Sequence, residues 1–236
     1  MSEPWLLVAP ESLTDETRIA LDAEESRHVR DVLRCGVGEH LVLADGRGTI
    51  ARAELVRCRR SRVEAIVIER TRMPEPSGPG VELALGVLHG RAMDWAVQKA
   101  VEVGVRRFLP LACERAQVSV RAAGARRAHW CRLARQALKQ CRRAWEMEVA
   151  APVQLADLLV AGRPGLVADP AGGTWPAVGS GARATLVVGP EGGLSPEEQE
   201  QLADAGWVRL RLGPHTLRAE TAAIVGAALL VNTARD

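Results

Sequence analysis

Two glycine-bearing segments in the last third of the chain carry residue types suited to holding a small molecule. In the first, Leu186, Val187 and Val188 lead into Gly189, Pro190, Glu191, Gly192 and Gly193, and Leu194 and Ser195 follow. Three glycines in five residues let a backbone approach a ligand closely, and the N–H groups of such a loop can serve as donors. In the second, Leu212, Gly213 and Pro214 are followed by Leu217, Arg218, Glu220 and Thr221 at the mouth of an apolar run. The plain alternatives are a connecting turn for the first segment and a helix cap for the second. In the cap, Glu220 would favour the N-terminal dipole and Thr221 would satisfy a free N–H. Capping leaves Arg218 unexplained, because a positive charge is disfavoured at a helix start unless an anion is near.

The ligand is not an ordinary polyphosphate. No Gly-x-Gly-x-x-Gly fingerprint is present, and no Gly-Lys-Ser/Thr follows either glycine segment. Glu191 puts a carboxylate where a phosphate cradle avoids negative charge. It suits a cationic or hydroxylated ligand, or else is a solvated turn residue.

The elements that must position these loops alternate as an α/β fold requires. Val81–Leu88 is a continuous apolar run, suiting a strand buried on both faces. A helix is predicted over Met93–Val103, a strand over Phe108–Ala112, a long helix over Ala125–Trp145, and strands over Gly165–Ala168 and Thr185–Val188. Ser195, Pro196 and Glu198 spell a capped helix start, closed at Gly206. Trp207–Leu212 is the next strand and Glu220–Asn232 the terminal helix. In an open sheet of this kind, loops at the carboxyl ends of neighbouring strands form the binding crevice.

Upstream the pattern differs. Residues 70–80 contain three prolines and two glycines, marking a domain boundary. Before it lie strand signals at Trp5–Ala9, His40–Ala44, Thr49–Val56 and Arg62–Glu69. A helix opens at Asp22 with Glu25 and closes near Gly36, and Asp45, Gly46, Arg47 and Gly48 signal a hairpin. About seventy residues of this type suggest a small barrel. The expected division is 1–72 and 73–236.

With 236 residues, 47% hydrophobic and 25% charged, the chain has the composition of an ordinary globular protein. No apolar run is long enough to span a membrane, and Glu3 stands where a secretion signal needs basic residues, so a cytosolic location is expected. The five cysteines, at 35, 58, 113, 131 and 141, form no Cys-x-x-Cys pair, and no metal site is expected. Net charge is +2, but arginine far outnumbers lysine, which permits nucleic acid without demanding it. Arg132, Arg135, Lys139 and Arg142 recur at helical spacing, as an RNA-backbone contact or a solvated face.

Together the two motifs, Val188–Glu198 and Leu212–Ala222, resemble the RsmE family, 16S rRNA uridine-N3 methyltransferases of the knotted SPOUT class. Upstream, Met93 with Asp94, Gln98, Lys99, Glu102 and Gly104 agree, as do Glu114, Arg115, Trp130, Gln140 and Arg143. So do Val32, Leu33, Arg34, Gly38, Asp45, Gly46 and Gly48. The resemblance covers nearly the whole chain. It implies a trefoil-knotted parallel-sheet domain that dimerises through its cofactor face, and a PUA-like N-terminal domain that helps bind RNA. It implies S-adenosylmethionine (AdoMet), held by Leu186, Val188, Gly189, Pro190, Glu191, Gly192, Gly193, Leu212, Gly213, Leu217, Arg218 and Thr221. RNA contacts are expected from Arg34, Arg91, Lys99, Arg115 and Arg143, with 16S rRNA or the small ribosomal subunit as partner. The sulfonium needs no metal. The enzyme must align N3 with the methyl carbon and dispose of the imide proton. Arg218, Glu220 and Glu191 are the candidate catalytic groups: Arg218 against negative charge on the uracil, the glutamates to anchor a hydroxyl or accept a proton.

The chain departs from the family in several places. No basic residue opens it, His89 stands where lysine is common, Arg91 and Ala92 replace a usual acid–base pair, and His215, Thr216 and Ala219 vary the second motif. A second reading is therefore an RNA-binding or ribosome-assembly protein without efficient catalysis. A third, a phosphate-binding nucleotide enzyme, is disfavoured by Glu191.

Overall fold

The computed structural model describes residues 3–60, 62–76, 80–160, 165–174 and 184–233. The chain forms two compact units, one of residues up to Glu75 together with Leu138–Glu146, the other of Pro76–Ala137 and the chain from Met147 onward.

The first unit holds β1 (Trp5–Leu7), β2 (Arg18–Ala20), α1 (Ala23–Arg27), β3 (His40–Ala44), β4 (Thr49–Arg59) and β5 (Arg62–Arg72). The strands expected to make a small barrel form one mixed five-stranded sheet in the order β1-β3-β4-β5-β2, with only the β1–β3 pairing parallel. Alternation sends Leu41, Leu43, Ala51, Ala53, Leu55, Val63 and Ala65 into a core with Leu6, Ile19 and Val29. Asp22 caps α1 by accepting from Glu25 N at 2.8 Å. A π-helical turn, His28–Leu33, follows and ends where Arg34 adopts φ 57°. The β3–β4 turn is closed by Asp45 Oδ1, which accepts from the N–H groups of Arg47 (2.7 Å) and Thr49 (2.9 Å). The proline-rich boundary segment is described except for residues 77–79.

The second unit contains β6 (Val81–Gly86), α2 (Arg91–Val103), β7 (Arg107–Ala112), α3 (Val120–Cys141, whose last turn packs in the first unit), β8 (Glu148–Val149), β9 (Val153–Gln154), α4 (Leu155–Val160), β10 (Leu166–Gly173), β11 (Ala184–Val188), α5 (Pro196–Asp204), β12 (Val208–Leu210) and α6 (Ala219–Thr233). The sheet is parallel, ordered β12-β10-β11-β6-β7-β8, with β9 also on β7. All of β6 is buried, as its unbroken apolar run predicts. The helix predicted over 125–145 runs instead over Val120–Cys141. Ser119 Oγ accepts from Ala122 N at 3.3 Å near its start, and Arg142, at φ 58°, follows its end. Trp145 therefore lies beyond the helix.

Candidate functional site

Because the strands are parallel, the segments leaving β11, β12 and β7 emerge at one edge of the sheet, beside the start of α2. They surround a cavity of about 580 Å3. Its walls come from Val188–Glu191, Gly193 and Leu194 after β11, from Arg211–Gly213 and His215–Leu217 after β12, and from Arg218–Glu220 and Ala222 at the start of α6. Ala168, Asp169 and Pro170 of β10, Gln199 of α5, Ala92 of α2 and Arg115 after β7 complete it.

Close backbone packing shapes the first loop. A Cβ on Gly189 would lie 2.8 Å from Leu194 N, and one on Gly86 would lie 2.5 Å from Pro190 N. Gly193 adopts φ 71° and its N–H donates to Pro190 O at 2.8 Å, closing the turn. Glu191 reaches across 102 residues, its Oε1 accepting from His89 N at 2.9 Å. The helix behind the loop begins with a complete capping box: Ser195 Oγ accepts from Glu198 N (3.2 Å), and Glu198 Oε2 accepts from Ser195 N (2.8 Å). The other oxygen of Glu198 accepts from Glu114 N at 2.9 Å, so one buried carboxylate ties the β7–α3 loop to the glycine loop. Arg115 is thereby held against Gly192, whose carbonyl accepts from Nη1 at 3.4 Å. Burial, and secondarily the charge of Glu198, push the neighbouring Cys113 thiol up to about 12.

The second loop is more open. A Cβ on Gly213 would meet no atom within 4 Å, so the cavity extends to the backbone there. Ala222 N donates to Arg218 O at 2.8 Å, starting α6. Asp169 enters the wall from β10, but its charge is engaged: Arg209 reaches Oδ2 through Nε at 2.7 Å and Nη2 at 2.6 Å, and Ala171 N donates to Oδ1.

Of the residues expected at a cofactor site, Val188, Gly189, Pro190, Glu191, Gly193, Leu212, Gly213, Leu217 and Arg218 line the cavity, as does Glu220. Leu186, Gly192 and Thr221 do not. Leu186 is fully buried, its Cδ2 2.5 Å from where a Cβ on Gly226 would be. Gly192 backs onto Arg115, and Thr221 is half-buried on α6. Among the basic residues expected on RNA, Arg115 lines the cavity, and Arg91 is exposed at the first position of α2. Lys99 pairs with Glu102 at 2.7 Å. Arg34, exposed, and Arg143, half-buried, belong to the first unit. Sequence reasoning missed Asp169, Pro170, Gln199 and Arg211, which only sheet order and loop packing bring to the site. Among the described residues no cluster of three or more His, Cys, Asp or Glu is placed to hold a metal, and no helix is long and apolar enough to cross a membrane.

Residues 75–231 match the RNA methyltransferase domain family, and residues 21–68 match the RNA methyltransferase PUA domain. Ribosomal RNA small subunit methyltransferase E of Mycobacterium bovis is 33% identical, covering 93% of this chain and 88% of its own. The protein of the same name from Bacillus subtilis is 26% identical, over 94% and 93%. The crystal structure of the Neisseria gonorrhoeae enzyme, bound to S-adenosyl methionine, superposes with a TM-score of 0.87 at 27% identity, covering 98% of each chain. A methyltransferase from Legionella pneumophila, solved with SAM bound, gives 0.88 at 29% identity over 98% of this chain and 97% of its own. The chain thus belongs to the RsmE family of small-subunit rRNA methyltransferases, with a PUA-like mixed sheet followed by a SPOUT methyltransferase domain.

Proposed function

We propose that this protein transfers the methyl group of AdoMet to N3 of a uridine in 16S rRNA, acting in the cytosol as a homodimer. The cavity at the carboxyl edge of the sheet carries the reading, because its walls fit that cofactor. Val188, Leu194, Leu212, Leu217 and Ala222 offer apolar surface to an adenosine, and the backbone around Gly213 is open to donate and accept. Glu191 and Glu220 place carboxylates in the walls, which suit a sulfonium. Bound there, AdoMet supplies a methyl carbon on a positively charged sulfur.

The chain's own residues must hold the base in line with that carbon and manage the N3 proton. Arg218 lines the cavity at the start of α6, where its guanidinium can stabilise the charge the uracil acquires as the proton leaves. Glu220, beside it, accepts that proton. Glu191 is occupied by the His89 N–H, so it anchors the loop between β6 and α2. Arg115, fixed on Gly192, faces the cavity from the opposite loop and guides the RNA backbone; Arg34, Arg91, Lys99 and Arg143 add further basic groups for RNA. The strand order β6-β11-β10-β12, with α6 packed on β6, β10 and β11, supports the trefoil threading.

Mass spectrometry of 16S rRNA from a deletion strain tests the assignment, with loss of one N3-methyluridine expected. If every such mark persists, the rRNA assignment fails. Calorimetry with AdoMet checks the cofactor independently. Saturable AdoMet binding without methyl transfer would favour the ribosome-assembly reading.

A further inference from the structure

The outer face of the first unit carries an arrangement that neither the cavity nor the core explains. Glu64 on β5 is only 3% exposed, yet three arginines converge on it. Arg62 Nε lies 2.7 Å from Oε1, while Arg57 Nε and Arg18 Nη1 lie 3.3 and 3.6 Å from Oε2. Glu64 Oε2 accepts no hydrogen bond. Strand register explains the convergence: Arg57 stands directly opposite Glu64 on β4, Ala20 of β2 stands opposite on the other side, and Arg18 and Arg62 are two residues away on the same face. The arginine stems bury the carboxylate while their heads stay about half exposed. One carboxylate offers about four acceptor positions against about fifteen guanidinium N–H donors, so most donors face outward.

The β4–β5 turn adds to this charge. Arg59 and Arg62 are cross-strand partners at its base, a like-charge pair that costs stability unless an anion bridges it. Arg60 follows in the turn, and its carbonyl accepts from Arg30 Nη1 at 3.2 Å. Asp31 is the acidic partner of Arg30. Its hydrogen bond to Arg30, and then the charges of Arg30, Arg27 and Arg60, hold its carboxyl below the ordinary value. Three arginines (18, 57 and 62) thus gather on Glu64, three more (27, 30 and 60) lie near Asp31, and Arg59 stands opposite Arg62 at the turn between them.

We propose that this arginine face, held in register by the buried Glu64 carboxylate, docks the sugar–phosphate backbone of RNA. It rests on the reading of the protein as an rRNA methyltransferase and locates part of the substrate contact on β2, β4 and β5. A fixed array of half-exposed guanidinium groups suits phosphate oxygens, which accept paired N–H donors. It binds without base specificity, leaving selection of the uridine to the cavity.

The test uses the full-length protein, a 16S rRNA transcript and isolated small subunits. In R18Q/R57Q/R62Q, KM for the transcript should rise at least tenfold, with kcat at saturating RNA within about twofold and AdoMet affinity unchanged. The slope of log affinity against log salt should fall by about 2, at roughly 0.7 for each phosphate no longer neutralised. R59Q/R60Q leaves the Glu64 cluster intact and should show a smaller loss in the same direction, which keeps the test decisive if the triple variant misfolds. Unchanged KM and salt slope in both variants would overturn the proposal. So would a loss confined to assembled subunits with normal transcript binding, which would indicate a protein partner. If the wild-type protein methylates no rRNA, the activity reading fails, and the docking surface stands or falls on transcript binding and its salt slope.

Discussion

Arg218 and Glu191 line the same cavity in different electrostatic company. Glu191 accepts a backbone hydrogen bond from His89, whereas Arg218 lines the cavity immediately before α6. Arg218→Ala should lower kcat by about 10²- to 10³-fold, the usual cost of removing one donor aimed at developing charge, while AdoMet affinity changes little. Single-turnover methyl transfer beside calorimetry checks this; unchanged turnover would remove Arg218 from the chemistry. For Glu191 the two substitutions separate two roles. Glu191→Gln keeps an acceptor for His89 N and should retain most activity, while Glu191→Ala should lose the loop anchor and weaken AdoMet binding several-fold. Equal inactivation of both variants would instead make Glu191 the proton acceptor. Cys113 carries a stability consequence. Its folded thiol titrates near 12 rather than at the ordinary value of 9.0, so its contribution is fully present below pH 9 and is lost as pH rises from about 9 toward 12. Alkaline melting curves should be flatter for Cys113→Ala than for the wild-type protein.

Between elements, the contact that shapes the site most directly is the seating of the glycine loop on the end of β6. A methyl group on Gly86 would meet Pro190 N and Cδ at 2.5 Å, and the backbone atom cannot swing aside. Gly86→Ala should therefore displace the loop, cost about 1–3 kcal/mol of stability and raise the AdoMet dissociation constant. Thermal melts and calorimetry on the variant test both parts; wild-type values would show that the loop yields freely. This contact is invisible in the sequence, because nothing in Val81–Leu88 announces which loop will lie across its end. What is legible is local. Ser195 with Glu198 spells the α5 cap, Asp22 with Glu25 spells the start of α1, and the crowded glycines mark the loop after β11 that lines the cavity. The short edge strands β2, β8 and β9 leave no trace, since two or three residues cannot display a period. The pattern puts the start of α3 too late, because Gly124 and the small residues around it obscure the first turn. It puts the end too late because Arg142 turns left-handed. Asp169 and Arg211 enter the site through sheet order, which spacing along the chain does not encode.

At the scale of the molecule, α2 and α6 pack on each other, and Trp95 on α2 and Leu229 on α6 are left exposed, 41% and 40%. A homodimer that covers these side chains is the proposed assembly. Leu229→Glu should shift the protein toward monomer in sedimentation velocity and reduce methyl transfer; an unchanged dimer would place the interface elsewhere. The first unit has a different peculiarity. Lys139 Nζ donates to the buried Glu25 at 2.7 Å, Trp145 Nε1 donates to Pro74 O, Arg72 stacks on the Trp145 ring, and Gly48 N donates to Ala144 O. These partners arrive about 70 residues after Glu75. At bacterial-style elongation rates the ribosome needs roughly 4 to 14 s to supply them. For that interval the nascent N-terminal sheet holds a Glu25 carboxylate with no ammonium beside it and a hairpin with no tryptophan against its glycine. The sheet that precedes Glu75 is thus completed only once residues 138–146 have been made, and a fragment ending at the proline-rich boundary would lack one of the unit's own walls.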